Sequence, residues 1–222
     1  MPGKKRLIVL DFDGFLINSY HLLQITFKQF GLDIGDEDRF RHRRKFLKYI
    51  GGGKEFIRNF VSYTLPKKKK IREALTEIYQ EEGRIYREFT GLINHMIEEP
   101  DTHVGIISRN FTHHPGHTIR KVLRNSEVLE RYLDFVIPIP IGVKKHDVLE
   151  GMLSSGYTQS LFAADEIGDY KAAADTGYDR ILMASYGFDN KMRLLTEGEI
   201  PPEIIYDQPK DMARIIKHII TQ

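Results

Sequence analysis

The chain has 222 residues, 41% of them hydrophobic and 29% charged, with 33 Lys+Arg against 31 Asp+Glu and a formal net charge of +2. That length holds one large domain, or a core domain with a smaller insertion, and the composition is that of an ordinary soluble globular chain. Cysteine is absent, which excludes a disulfide framework, a thiolate nucleophile and a zinc–thiolate site.

No apolar run approaches the roughly 18 residues that a membrane span requires. Residues 1–6 are basic, but the apolar run behind them stops after four residues at Asp11, too short for the core of a signal peptide. A cytoplasmic protein without a membrane partner is therefore expected. The small net charge hides an asymmetry: residues 20–92 carry 16 Lys+Arg against 10 Asp+Glu, and the rest of the chain 17 against 21. A basic insertion beside an acidic core can steer an anionic substrate toward a metal-loaded site.

In chain order, the run Leu7-Ile8-Val9-Leu10 is too short for a helix and reads as a buried parallel strand ending at Asp11. Residues 19–30 have helical spacing, as do 39–50, 54–63, 67–82 and 84–98. Nothing between residues 20 and 97 reads as a strand, and about seventy residues of helix far exceed an ordinary crossover of about a dozen residues. This stretch is expected to be an inserted helical domain, residues 19–92, within a core made of residues 1–18 and 93–222. A strand is then predicted at 103–108, a helix at 115–124, a strand at 135–139, a helix at 146–155, a strand at 160–164, a helix at 170–176 and a strand at 180–184. A short strand at 204–206 and a helix at 210–220 follow. The alternation predicts an α/β fold, a doubly wound parallel sheet with helices on both faces.

Chemistry is expected at the strand ends. Asp11 and Asp13 lie one residue apart after the first strand, so both carboxylates can share one side. Two carboxylates this close repel unless a cation or a proton separates them. Ser108-Arg109-Asn110 ends the second strand with a hydroxyl and free backbone amides, suited to phosphate oxygens. Lys144 and Lys145 precede a helix, where the dipole disfavours cations, so an anion is expected nearby. Asp165 and Asp169 form another acidic pair at a strand end. Each motif alone fits a cap, a turn or a surface charge; four in order, each after its own strand, do not.

With these motifs the chain resembles the haloacid dehalogenase superfamily of phosphoryl-transfer enzymes. Asp11-Phe12-Asp13-Gly14 is similar to the first motif of that family, Ser108 to the second, a lysine of the 144–145 pair to the third, and Asp165 with Asp169 to the fourth. The resemblance spans residues 7 to about 185 and implies a Rossmann-like core with a helical cap of the kind found in phosphoglycolate phosphatases and β-phosphoglucomutases. It implies that Asp11 is the nucleophile and Asp13 the general acid and base. It also implies Mg2+ bound by Asp11, the Asp13 carbonyl and Asp165 with Asp169 in support, and phosphate held by Ser108, Arg109 and the lysine. Both lysines remain candidates; Lys145 is preferred because Lys145-His146-Asp147 resembles the helix-start form of the third motif. The implied activity is magnesium-dependent hydrolysis of a small phosphorylated metabolite. A sugar phosphomutase, or a non-catalytic binding protein on the same fold, is the alternative. A monomer or weak homodimer is expected.

One departure from the family is Phe15, where threonine or valine is usual; altered packing beneath the cap is expected there, not lost chemistry. His113, His114 and His117 invite a transition-metal reading, but without a carboxylate partner at ligand spacing an exposed loop at the site mouth is preferred. The basic runs 39–45 and 67–70 are read as solvated helix faces, and no nucleic-acid partner is expected. Gly51-Gly52-Gly53-Lys54 is either an interhelical turn or a loop that reads the substrate. Tyr49, Tyr63, Tyr79 and Tyr86 fall at helical spacing and are assigned to packing, with no function.

Overall fold

The computed structural model describes residues 6–35, 68–140 and 142–221. The helices expected at 39–50 and 54–63, and the glycine-rich break between them, lie outside these residues.

The apolar run at the start of the chain forms β1 (Arg6–Asp11), with every residue after Arg6 buried. Asn18 caps the following helix α1 (Ser19–Gln29) by accepting the His21 amide at 3.0 Å. Next come α2 (Lys68–Glu82) and α3 (Arg87–Glu98), then β2 (Thr102–Ser108) and α4 (Pro115–Asn125), which starts on a proline. A 3-10 turn (Glu130–Tyr132) leads to β3 (Phe135–Pro138), α5 (Lys145–Leu153), β4 (Gln159–Ala164) and α6 (Ile167–Thr176). Gly177, left-handed at φ 83°, closes α6, which lets β5 (Arg180–Ala184) begin three residues later. The chain ends with α7 (Lys191–Thr196), a 3-10 turn (Pro202–Ile204), β6 (Ile205–Tyr206) and α8 (Pro209–Ile220).

Among the described residues the strands form one parallel sheet in the order β3-β2-β1-β4-β5-β6. The chain winds outward from β1 through β2 to β3, then returns to the other side of β1 and winds outward through β4 to β6. Strand β1 is thus the point where the winding reverses, and the crevice beyond its C-terminal end is where such sheets bind ligands. Alternation along β1 divides the core. Ile8 and Leu10 belong to the apolar cluster that holds buried residues of α1, α2, α3, α4 and α8, whereas Leu7 and Val9 belong to the one that holds those of α5 and α6. Helix α3 packs on β2 and α8, and α2 packs between α1 and α4.

The expected strands appear within two residues of their predicted bounds. Helix α6 starts at Ile167, three residues earlier than the apolar pattern predicts, because Asp189 accepts the Ile167 amide at 2.9 Å and satisfies an end that sequence spacing does not show. Helix α7 has no counterpart in the prediction: six residues are too few for a periodic signal, and only Leu194 is fully buried in it. Among the described residues, no helix is long and apolar enough to cross a membrane.

Candidate active site

Parallel registry brings the chemistry together. Asp11 pairs with Ile107 across β1 and β2, and Leu10 with Ala163 across β1 and β4, so Asp11, Ser108 and Asp165 emerge side by side at one sheet edge. Beyond Asp11 the chain turns back tightly: the Phe12 carbonyl accepts the Leu16 amide at 3.0 Å, and Gly14 takes φ 83°. A Cβ on Gly14 would stand 2.2 Å from Asp165 Oδ2. Both the left-handed backbone and the close approach therefore demand glycine.

Asp11, Asp165 and Asp169 each present a carboxylate oxygen, all three within 4.8 Å of one another, and all three residues are buried. Asp165 is fully buried; its Oδ2 accepts the Phe188 amide at 2.6 Å, while its Oδ1 has no hydrogen-bond partner among the described residues. Burial, and then the charges of Asp11 and Glu166, push the Asp165 carboxyl well above the ordinary range. Burial likewise lifts the Asp11 carboxyl from 3.8 to about 7, against the pull of the Lys145 ammonium, with Asp169 and Asp13 adding to the rise. Lys145, the first residue of α5, reaches into this group: its Nζ donates to Asp11 Oδ1 at 2.9 Å and to Asp169 Oδ2 at 2.6 Å. Burial alone would lower its pKa, but the Asp11 and Asp169 carboxylates outweigh that and keep the ammonium charged. The anion that the lysine pair anticipates is thus supplied by two carboxylates of the chain itself.

One ammonium does not balance three carboxylates, and a buried carboxylate oxygen without a donor is costly. The donors are all oxygens, with no thiolate or imidazole among them, which fits a hard divalent cation such as magnesium.

Asp13 lies beside this cluster but has different partners. Its Oδ1 accepts from Ser19 Oγ at 2.8 Å and Tyr79 OH at 2.6 Å, and its Oδ2 from Ser108 Oγ at 2.8 Å; Asn110 Nδ2 donates to both oxygens, at 3.2 and 3.0 Å. Asn110 is itself fixed, since its Oδ1 accepts the Thr112 amide at 3.0 Å and the Thr112 hydroxyl. Two carboxylates one residue apart in sequence therefore have distinct environments: Asp11 among charges, Asp13 among neutral hydroxyls and an amide.

No protein-family model and no curated protein matches the sequence. Solved structures do match. A Thermotoga maritima protein regarded as a β-phosphoglucomutase superposes with a TM-score of 0.63 at 14% identity, covering 96% of this chain and 99% of its own. A haloacid dehalogenase-like hydrolase from Streptococcus pneumoniae gives 0.60 at 17% identity, covering 96% and 99%. CbbY from Rhodobacter sphaeroides, solved with xylulose-(1,5)bisphosphate, gives 0.63 at 16% identity, covering 92% and 94%. The chain has the haloacid dehalogenase fold.

On this haloacid dehalogenase fold the structure brings Asp11, Asp13, Ser108, Lys145, Asp165 and Asp169 together. It does not bring the Arg109 side chain with them: that residue is exposed, and its guanidinium donates to the Val143 carbonyl at 2.8 Å. Lys144 is exposed and occupies the N-cap position of α5. His114 and His117 are exposed; the half-buried His113 gives its amide to Thr76 Oγ1 at 2.8 Å. Among the described residues no histidine belongs to a metal-capable group. Phe15 is fully buried, its ring 5.2 Å from Phe89 and 6.5 Å from Tyr186, so its part is packing.

Three partners of Asp13 escape sequence reasoning: Ser19, Asn110 and Tyr79. Asn110 lies two residues past Ser108 and is legible only as part of a polar strand end. Tyr79 is buried, as its helical spacing predicts, but its hydroxyl donates to Asp13. A tyrosine where phenylalanine would pack equally well is the one available signal, because a buried phenol needs an acceptor.

Proposed function

We propose that the protein is a magnesium-dependent phosphatase acting on a small phosphorylated metabolite through an aspartyl-phosphate on Asp11. The observation that carries this reading is the pairing of two differently surrounded carboxylates at one strand end: Asp11 against Lys145 and the acidic pair, Asp13 against neutral donors. The sequence motifs and the likeness in fold support it. Asp11, Asp165, Asp169 and the Asp13 carbonyl would hold magnesium, which when bound offsets the charge of the phosphoryl group.

In this reading an Asp11 carboxylate oxygen attacks phosphorus, and the bond from phosphorus to the ester oxygen breaks. Asp13, protonated, gives its proton to the departing oxygen. It then takes a proton from water as that water attacks the phosphorus, releasing inorganic phosphate and restoring the Asp11 carboxylate. Ser108 and Asn110 donate to phosphoryl oxygens, and the Lys145 ammonium offsets charge that grows in the transition state. Arg109 takes part through its main-chain amide, since its side chain is tied to Val143. Residues 19–92 are the cap that selects the substrate, and residues 1–18 and 93–222 the core that performs the chemistry.

The test is phosphate release from p-nitrophenyl phosphate, with magnesium and with EDTA, followed by a screen of phosphorylated metabolites. Magnesium-dependent release is expected; no turnover of any ester makes the chain a binding protein on this fold. Isomerised ester in place of free phosphate makes it a sugar phosphomutase.

A further inference from the structure

We infer that Tyr79 is a positioning residue for Asp13: it fixes the carboxyl group so that Oδ2 is the oxygen that exchanges the proton. The inference rests on the phosphatase reading and adds to it a residue that no sequence motif marks.

The hydrogen bonds of Asp13 divide unequally between its two oxygens. Oδ2 is held by Ser108 Oγ at 2.8 Å and Asn110 Nδ2 at 3.0 Å, both at the end of β2. These are the donors that an incoming phosphoryl group would engage, so substrate competes with Asp13 for them. Oδ1 is held by Ser19 Oγ at 2.8 Å and Tyr79 OH at 2.6 Å, with the longer 3.2 Å contact from Asn110. Ser19 and Tyr79 lie on α1 and α2, outside the strand ends, and stay on Oδ1 when the β2 donors turn to substrate. Anchored through Oδ1, the carboxyl presents Oδ2 to the ester oxygen.

The helix that carries Tyr79 is fixed in height by its own stripe of contacts. Arg72, Thr76 and Tyr79 fall on one face at spacings of four and three residues. Arg72 donates to the Phe111 and Thr112 carbonyls, both at 3.1 Å, and Thr76 Oγ1 accepts the His113 amide at 2.8 Å. The loop after Ser108, which also holds Asn110, is thus pinned to α2 at three successive residues. In the connection that follows α2, the Tyr86 amide donates to the Leu16 carbonyl at 2.8 Å, and Ile85 bridges Ile17. The loop bearing Asn110 is therefore attached to the helix that delivers the phenol, and the turn bearing Asp13 to the segment directly after it.

Protonation of the leaving oxygen matters for an alkyl phosphate, whose alkoxide is a poor leaving group, and hardly at all for p-nitrophenyl phosphate. The experiment compares kcat/KM of wild type and Tyr79→Phe on p-nitrophenyl phosphate and on an alkyl ester such as glycerol phosphate, with melting curves alongside. A misplaced acid should lower kcat/KM for the alkyl ester about 10- to 100-fold and for p-nitrophenyl phosphate by less than about threefold. Equal losses on both esters, or none on either, overturn the inference while leaving the phosphatase reading intact. A wild-type protein inactive on both overturns the reading and the inference with it. Should Tyr79→Phe fail to fold, Arg72→Ala carries the same comparison, since it releases α2 from the 111–112 carbonyls and keeps the phenol. Selective loss on the alkyl ester supports positioning through α2, and uniform loss overturns it.

Discussion

The Lys145 ammonium donates to Asp11 Oδ1 across 2.9 Å, joining the first turn of α5 to the C-terminal end of β1. The contact crosses 134 residues of sequence and is almost fully buried, with the lysine side chain 9% exposed and the aspartate 6%. A cation at a helix N-terminus opposes the dipole, so this lysine is placed there for its partners, Asp11 and Asp169.

From this contact the two lysines can be told apart. Lys145→Ala leaves Asp11 and Asp169 buried without their cation, and breaking such a pair costs about 3–5 kcal/mol. Turnover should fall by at least about a hundredfold as the proposed charge-assisted contact to phosphate is lost. Lys144→Ala, at an exposed position, should melt like wild type and keep most activity. Steady-state kinetics and melting curves of the two variants check this. The opposite ranking would assign phosphate binding to Lys144.

Asp11→Asn preserves shape and removes the proposed nucleophile. Turnover should drop by at least about a thousandfold, while the fold persists by circular dichroism. Trapping of radiolabelled phosphate on wild type but not on the variant checks that the loss lies in the covalent step.

The sheet, its parallel direction and the four strand-end motifs were legible because each depends on local signals: apolar runs, their lengths and the polar residues that stop them. The site was legible where one strand end carried its own chemistry, as at Asp11 and Asp165. It was not legible where geometry arises from packing between distant elements. Helical spacing marks Tyr79 as buried but says nothing of Asp13, 66 residues away. Adjacency in sequence likewise does not show that beyond the end of β2 the Arg109 side chain turns to the Val143 carbonyl, while Asn110, one residue on, turns to Asp13.

The raised carboxyls set a pH dependence for the metal-free protein. Asp11 titrates at about 7 folded and at 3.8 unfolded, so between these values the folded state binds more protons. Stability from this group is therefore fully present at acid pH and falls as pH rises from about 4 to 7. Asp165, also raised, acts in the same direction. In EDTA, the melting temperature of Asp11→Asn should decline less across this range than that of wild type. Added magnesium should raise the wild-type melting temperature more at about pH 8 than at about pH 5, because at the lower pH it must displace protons. Equal magnesium shifts at both values would mean that these carboxylates do not bind it.

Packing around Asp165 gives the last prediction. A Cβ on Gly187 would fall 2.3 Å from Asp165 Oδ2 and 2.4 Å from its Cβ, while the neighbouring Phe188 amide fixes that same oxygen at 2.6 Å. Asp165 has little room to yield, because it is fully buried and Gly14 also packs closely against the same oxygen. Gly187→Ala should therefore destabilise the protein by about 1–3 kcal/mol and weaken magnesium binding by displacing the carboxylate. Gly91 provides the contrast. It sits on the exposed face of α3, where an added Cβ would meet nothing within 4 Å, so Gly91→Ala should stabilise by about 0.5–1 kcal/mol through helix propensity and leave magnesium binding unchanged. Denaturant melts and a magnesium titration of both variants check the pair. If Gly187→Ala binds magnesium as wild type does, the position of Asp165 is not what sets the metal affinity.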